Sequence, residues 1–154
     1  MGQVVSINIS KDKGQRKKPV TGTWEVIEGC GLKNDGHANL SPHAQEENSH
    51  RQISLLAEES IEKMRAAGLD VVPGDFAENI TTRDIDLLSL KIGDQLRIGN
   101  NVLLRISQIG KVCHNRCAIY YQAGDCVMPK EGIFAEVITG GMIEVGDSCV
   151  LCPN

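Results

Sequence analysis

Eighteen residues, from Ile109 to Cys126, bring together Cys113, Cys117 and Cys126, three of the six cysteines in the chain, with Lys111, His114 and Arg116. A thiolate is both a nucleophile and a soft-metal ligand, and cations beside it favour the charged form and lower its pKa. Gly110 and Gly124 leave backbone room for a bulky ligand next to those sulfurs. Lys111, Arg116 and Lys130 lie where a phosphate could be met, the arginine through its two-pronged guanidinium. Three uses of the thiols compete. Cys113, Cys117 or Cys126 could serve a metal or sulfur site, because thiolate sulfur suits a polarisable metal or persulfide sulfur. Cys113, Cys117, Cys149 and Cys152 could staple a structural zinc, although only the last two have C-x-x-C spacing. The thiols could also be small core residues, the fate expected of Cys30 and of Cys149.

With 154 residues and 41% apolar content, the chain can bury one core, and a single domain over 1–154 is the simplest organisation. Aromatic residues make up only 3% (Trp24, Phe76, Tyr120, Tyr121, Phe134), so Ile, Val and Leu must build that core, which favours strands. The formal charge of -4 gives no global attraction to phosphate backbones and argues against nucleic acid as partner. The start of the chain lacks a basic segment followed by a long apolar run, and no stretch reaches the length of a membrane span. A soluble cytoplasmic protein is therefore expected, with reduced thiols rather than disulfides.

The elements that must position the thiols read as follows. Alternation predicts a strand over 4–9 and another over 21–28. Between them, Lys11, Lys13, Arg16, Lys17 and Lys18 form a charge run, for which a solvated loop is favoured over an anion-binding one. Residues 31–39 form a glycine-containing loop with Asp35 and His37, read as a turn carrying a surface histidine. Helical spacing of Leu56, Ile61 and Met64 predicts a helix over 57–67, with Ser54 before it as N-cap and Gly68 ending it. After a Pro-Gly turn at 73–74, Glu78 and Asn79 sit in a strand-like segment, where they either satisfy buried backbone groups or orient a ligand. Residues 87–98 and 102–109 read as a hairpin around 99–101. A second hairpin is expected from 132–138 and 142–145 around 139–141, then a last strand over 148–151. Many short strands and one good helix predict a mostly β fold, a barrel or sandwich with one or a few short helices.

Five segments in order carry a resemblance: Lys17-Lys-Pro-Val20, Gly31-Leu-Lys-Asn-Asp-Gly-His-Ala38, Arg51-Gln-Ile-Ser-Leu-Leu56, Pro73-Gly-Asp-Phe-Ala-Glu-Asn-Ile-Thr-Thr82 and Ile92-Gly-Asp-Gln-Leu-Arg-Ile-Gly99. Together they resemble the successive motifs of the MOSC domain, named for the C-terminal domain of molybdenum cofactor sulfurase, in its short stand-alone prokaryotic form. The resemblance implies a barrel-like β fold. It also implies binding of the pterin-based molybdenum cofactor (molybdopterin) or handling of its sulfur, and no dependence on pyridoxal phosphate. Cys113, after Gly110-Lys-Val112, resembles the cysteine of the short bacterial members, with Val112 where proline commonly stands; it ranks first as metal ligand or persulfide carrier. Cys117, after Arg116, resembles the Arg-Cys segment of longer members and is the rival. Arg51, Asn79, Asp35 and His37 match motif positions of the pocket, and Lys17, Lys18, Lys111 and Arg116 are the cations expected to face the cofactor phosphate. The implied role is that of a carrier or delivery protein working with a molybdoenzyme or a cofactor-biosynthesis protein. A molybdenum-dependent reductase of N-hydroxylated compounds, fed by a separate electron donor, is the enzymatic alternative. A zinc-stapled interaction module is the third.

Overall fold

Apolar residues at i and i+2 send one face of a strand inward, and the pattern recurs in Leu96/Ile98, Val102/Leu104/Ile106 and Ile133/Ala135/Val137, all buried in one cluster. A computed structural model describes residues 2–10, 17–35, 52–68, 70–76, 78–109 and 132–152. In chain order the strands are β1 (Gly2–Ile9), β2 (Lys18–Pro19), β3 (Thr23–Ile27), β4 (Gly31–Leu32), β5 (Ile53–Ala57), β6 (Ile80–Arg83), β7 (Gln95–Ile98), β8 (Val102–Ile109), β9 (Ile133–Thr139), β10 (Gly141–Glu144) and β11 (Ser148–Cys152). One helix, α1 (Glu58–Ala66), follows β5, and a single 3-10 turn spans Leu87–Ser89.

Seven strands close a barrel in the order β1-β6-β5-β9-β8-β7-β11, with β11 returning to β1. The fold is mostly β, as the patterning predicts. Closure rests on Gly2 opposite Cys149 and Gln3 opposite Ser148. Gly2 has no room for a side chain there, because a Cβ would stand 2.6 Å from the Arg83 carbonyl oxygen. β1 is longer than β11 can cover. The far half of the same edge pairs with β2, through Asn8 opposite Pro19 and Ile9 opposite Lys18.

Two apolar clusters divide the interior. The first fills the barrel and includes Val4, Ile7, Ile53, Leu55, Ile80 and Cys149. The second lies on the outer face of β5 and β9, where Leu56 and Phe134 meet Ile61 and Met64 of α1 with Val71 and Phe76. β5 and β6 run parallel, so the chain must cross over between them, and α1 supplies the crossover. Gly68 ends the helix at φ 99°, its N–H donating to the Arg65 carbonyl.

Three expectations are corrected. Ser54 does not cap α1: the N-cap is Ala57 without a side-chain bond, and Ser54 lies inside β5, a strand absent from the reading of that segment. The run Ile53-Ser-Leu-Leu-Ala57 is buried on both faces and breaks the strand period at Leu55-Leu56. The strand expected from 87 begins at Gln95, because the Asp86 carboxylate accepts from the Leu88 amide and starts the 3-10 turn. The second hairpin does not form. β9 pairs with β5 and β8, whereas β10 pairs with β3 in a separate sheet ordered β10-β3-β4. Gly140 makes that switch: a Cβ there would stand 2.5 Å from the Val26 carbonyl oxygen.

Gly68 and Gly74 both have φ near +98°, at 99° and 97°, but differ in surroundings. Alanine at Gly68 meets open space, and its cost is that of the left-handed backbone, about 1–2 kcal/mol. Alanine at Gly74 adds a Cβ 2.3 Å from the Lys17 carbonyl oxygen. Gly74→Ala is expected to lower the urea midpoint clearly more than Gly68→Ala; equal shifts would mean that the Lys17 contact yields without cost.

Candidate functional site

The stretch richest in thiols lies outside the described residues, as do His37 and Arg51. Of the candidate residues, Cys113, Cys117, Lys111 and Arg116 therefore receive no geometry, but the positions from which that stretch leaves and re-enters the barrel are defined. Ile109 at the end of β8 faces Ile133 at the start of β9. The row continues through Leu55 of β5 and Ile80 of β6 to Ile7 of β1. With strands about 4.8 Å apart, Ile133 lies roughly 10 Å from Ile80. Next to Ile80 and Ile7 in the chain stand Asn79 and Asn8, the centre of a buried polar junction.

Asn79 is fully buried and binds in three directions. Its Oδ1 accepts from the Ser54 amide at 3.0 Å and from the Ser54 hydroxyl at 3.2 Å, and its Nδ2 donates to the Asn8 carbonyl at 3.2 Å. The Asn8 amide returns a bond of 2.6 Å to the Asn79 carbonyl. These bonds satisfy backbone groups of β1 and β5, the first of the two uses expected of this residue. Beside it Glu78 is also fully buried. Its Oε2 accepts from the Thr81 hydroxyl at 2.8 Å, while Oε1 has no hydrogen-bond partner among the described residues. Burial pushes this carboxyl above its ordinary value of 4.5, with the Gly74 amide and the Thr81 hydroxyl pulling the other way.

The charge run divides at its end. Lys18 is exposed on β2, but the Lys17 side chain is wholly buried, its Nζ 2.7 Å from Asp35 Oδ1, whose side chain is equally buried. Lys17 Nζ also donates to the Ser10 hydroxyl at 3.2 Å, and the Ser10 amide donates to the same Asp35 oxygen at 3.0 Å. One carboxylate oxygen thus gathers the two ends of the cationic segment and the end of the turn after β4. A buried pair of this kind gains little net stability, because desolvation offsets attraction, yet losing either partner strands the other charge. Neither the pair nor the roles of Asn8 and Ser54 are apparent in the sequence. In the sequence Asn8 alternates with Ile7 and Ile9 like a solvent-facing residue of a half-buried strand.

The buried cysteines do not offer a thiolate. Cys149 points into the barrel, and burial pushes its thiol up to about 12. Cys30 is buried too. Cys149 and Cys152 are three residues apart on one strand, where alternation sends odd-spaced side chains to opposite faces, so their C-x-x-C spacing is not a chelate. Among the described residues no group of three or more His, Cys, Asp or Glu side chains is placed to hold a metal ion. A cavity of about 310 Å³ lies elsewhere, between α1 and residues 84–88, and none of the predicted site residues lines it.

The model of the MOSC domain matches residues 35–150. The chain belongs to the MOSC domain family. The YuaD protein from Bacillus subtilis superposes with a TM-score of 0.76 at 19% identity, covering 97% of this chain and 94% of that one. YiiM from Geobacillus stearothermophilus gives a TM-score of 0.68 at 21% identity over 99% of this chain and 76% of that one. For YiiM from Escherichia coli the values are 0.67, 21%, 100% and 71%. No curated protein matches the chain. At these identities the likeness concerns the fold, and this MOSC domain shares the architecture of YuaD and YiiM through nearly its whole length.

The Lys17–Asp35 pair can be tested directly. Asp35→Asn should destabilise the domain by about 3–5 kcal/mol, because it leaves an uncompensated ammonium in the interior. Replacing both partners at once, Lys17→Met with Asp35→Leu, should recover most of that loss. Urea unfolding of the three proteins reads both values, and a loss within about 1 kcal/mol for Asp35→Asn would show that the ammonium finds water in solution.

Proposed function

We propose that this MOSC domain binds the pterin-based molybdenum cofactor, or carries sulfur for it, as an accessory or delivery protein in the cytoplasm. The family match supports the cofactor class. What supports the choice of residues is the distribution of sulfur: Cys30 and Cys149 are committed to the interior, and the 149/152 pair is not a chelate. The thiolate for a soft metal or a persulfide then comes from the stretch between β8 and β9, where Cys113 ranks first and Cys117 second, with Lys111 and Arg116 beside them. When bound, the cofactor would supply a molybdenum centre for a thiolate ligand. This chain's part is to hold it: Cys113 at the metal or as sulfur carrier, exposed Lys18 with Lys111 and Arg116 toward the phosphate, and Arg51 and His37 in the pocket wall. Asp35 and Asn79 contribute from behind, through the ion pair and the amide junction. The receiving partner in this reading is a molybdoenzyme or a protein of cofactor biosynthesis.

The geometry of the C-terminal pair weighs against the zinc-stapled alternative, since Cys149 as a neutral thiol inside the barrel is a poor ligand. In cells making the cofactor, the purified domain should carry molybdenum and pterin, and Cys113→Ser should lose most of the metal while unfolding at the same urea concentration as the parent. Metal analysis with pterin fluorescence reads the first point. Wild-type preparations without either component, or a Cys113→Ser protein that keeps both while Cys117→Ser loses them, would respectively sink the reading or move the ligand to Cys117.

A further inference from the structure

Two walls enclose the cavity of about 310 Å³, α1 on one side and residues 84–88 on the other. They are tied to each other. Arg83 reaches both oxygens of Glu58, at 3.1 and 3.0 Å, and Glu59 Oε2 accepts from the Asp84 amide at 3.0 Å. Asp84 is held by that bond in the left-handed region, at φ 63°, where a residue other than glycine needs support. Gly2 leaves no gap against Ile85, since a Cβ there would stand 2.8 Å from the Ile85 Cβ. The cavity is therefore built into the fold, and a ligand entering it need not order its walls.

Its lining separates into an apolar floor and a charged rim. Leu87 belongs to the barrel core, Ala57 and Ile85 pack against that core, and Leu88 is 48% exposed. Thr82 stands opposite Ala57 on the same face of the ladder, its Oγ1 buried with no partner among the described residues. An unsatisfied hydroxyl thus borders the floor. The rim carries Glu59, Asp84 and Asp86 against one cation, Lys63, among the described residues that line it. Glu59 and Asp86 each use one oxygen on a backbone amide, that of Asp84 and that of Leu88, which leaves Glu59 Oε1, Asp86 Oδ2 and both oxygens of Asp84 for a ligand.

Three carboxylates call for a cation, and their spread decides which kind. No group of three acidic, His or Cys side chains among the described residues is gathered closely enough to hold a metal ion, so a point charge is not the fit. A charge carried on an apolar body suits both floor and rim. The volume lies at the lower end of ligand pockets, which run from roughly 300 to 1,000 Å³, and admits a compact molecule rather than a peptide. The positive end of α1 is already met by Glu58 and Glu59 of its first turn, so it does not recruit an anion. We propose that this cavity binds a small organic ammonium: Ile85, Leu87 and Leu88 receive its apolar body, and Asp84, Asp86 and Glu59 its charge. The site stands whether or not the domain binds a pterin.

Amide NMR shifts of the labelled full chain, titrated at low salt with phenethylammonium, phenylethanol and phenylpropionate, read the charge preference at nearly constant shape. Saturable shifts centred on Ser60, Ile85 and Leu88 are expected, with the ammonium binding about tenfold tighter than the alcohol and the propionate weakest. Asp84→Asn keeps a residue that tolerates the left-handed backbone, and Asp86→Asn keeps an acceptor for the Leu88 amide, so both should fold. Each should weaken the ammonium about threefold and leave the alcohol unchanged. Leu88→Ser should weaken both probes alike. An alcohol that binds as tightly as the ammonium, a propionate that binds best, shifts centred away from the cavity, or no saturation by about 10 mM of any probe would each overturn the proposal.

Discussion

The 2.6 Å hydrogen bond from the Asn8 amide to the Asn79 carbonyl lies where three strands that are distant in sequence must agree on a register. β1 meets β6 antiparallel and β6 meets β5 parallel, so no tight turn links either pair. Asn79 reads both neighbours at once, the Asn8 carbonyl through Nδ2 and the Ser54 amide through Oδ1. A slip of either strand by one residue would leave those buried groups unpaired, at about 1–3 kcal/mol each. It would also turn the inward row of Ile7, Ile80 and Leu55 outward. The apolar row and the amide junction thus enforce the same register, and the crossover helix and the 73–76 turn follow from it.

Polar burial around this point is unevenly satisfied. Asn8 and Asn79 use donors and acceptors on all sides, whereas Glu78 Oε1 and Thr82 Oγ1 are buried without partners among the described residues. A buried network normally pairs all its members, and an exception is informative in proportion to the cost it carries. For a hydroxyl such as that of Thr82 the cost is modest. For a carboxyl it is larger, and burial accordingly pushes the Glu78 group above its ordinary value while the Gly74 amide and the Thr81 hydroxyl pull it back.

The parts of the fold that a one-dimensional reading recovers are those governed by local period. β1, β3, β8 and β11 alternate and were expected as strands, and the end of α1 is written in Gly68. Elements decided by tertiary contacts were not legible. Ile53 and Leu55 face the barrel while Ser54 and Leu56 are buried on the other side, so β5 has no exposed side and resembles a helix entrance. Thr139-Gly140-Gly141 carries every sign of a hairpin turn, yet Gly140 serves a close approach to Val26 in another sheet. Lys17 looked like its solvated neighbours because nothing local marks the cation that meets Asp35, eighteen positions on. The order of family motifs singled out Asn79 and Asp35, and the geometry shows what they do in the fold, through the backbone and through a buried charge.

Sulfur chemistry in this domain is sorted by the same physics. A thiol inside the barrel loses access to its ionised form, as the value of about 12 at Cys149 shows, so its position in the core removes it from catalysis and metal binding alike. Reactivity is left to cysteines that combine cationic neighbours with a route to solvent. The stretch carrying Cys113, Cys117 and Cys126 is attached to the barrel at Ile109 and Ile133, which face each other across one ladder. Strand pairing has brought those two ends together, so the β8–β9 ladder meets closure entropy of the intervening chain. Alternation is then required of the paired strands alone. The same separation of tasks puts the stabilising alternation in the strands and the cysteine, histidine and arginine between them.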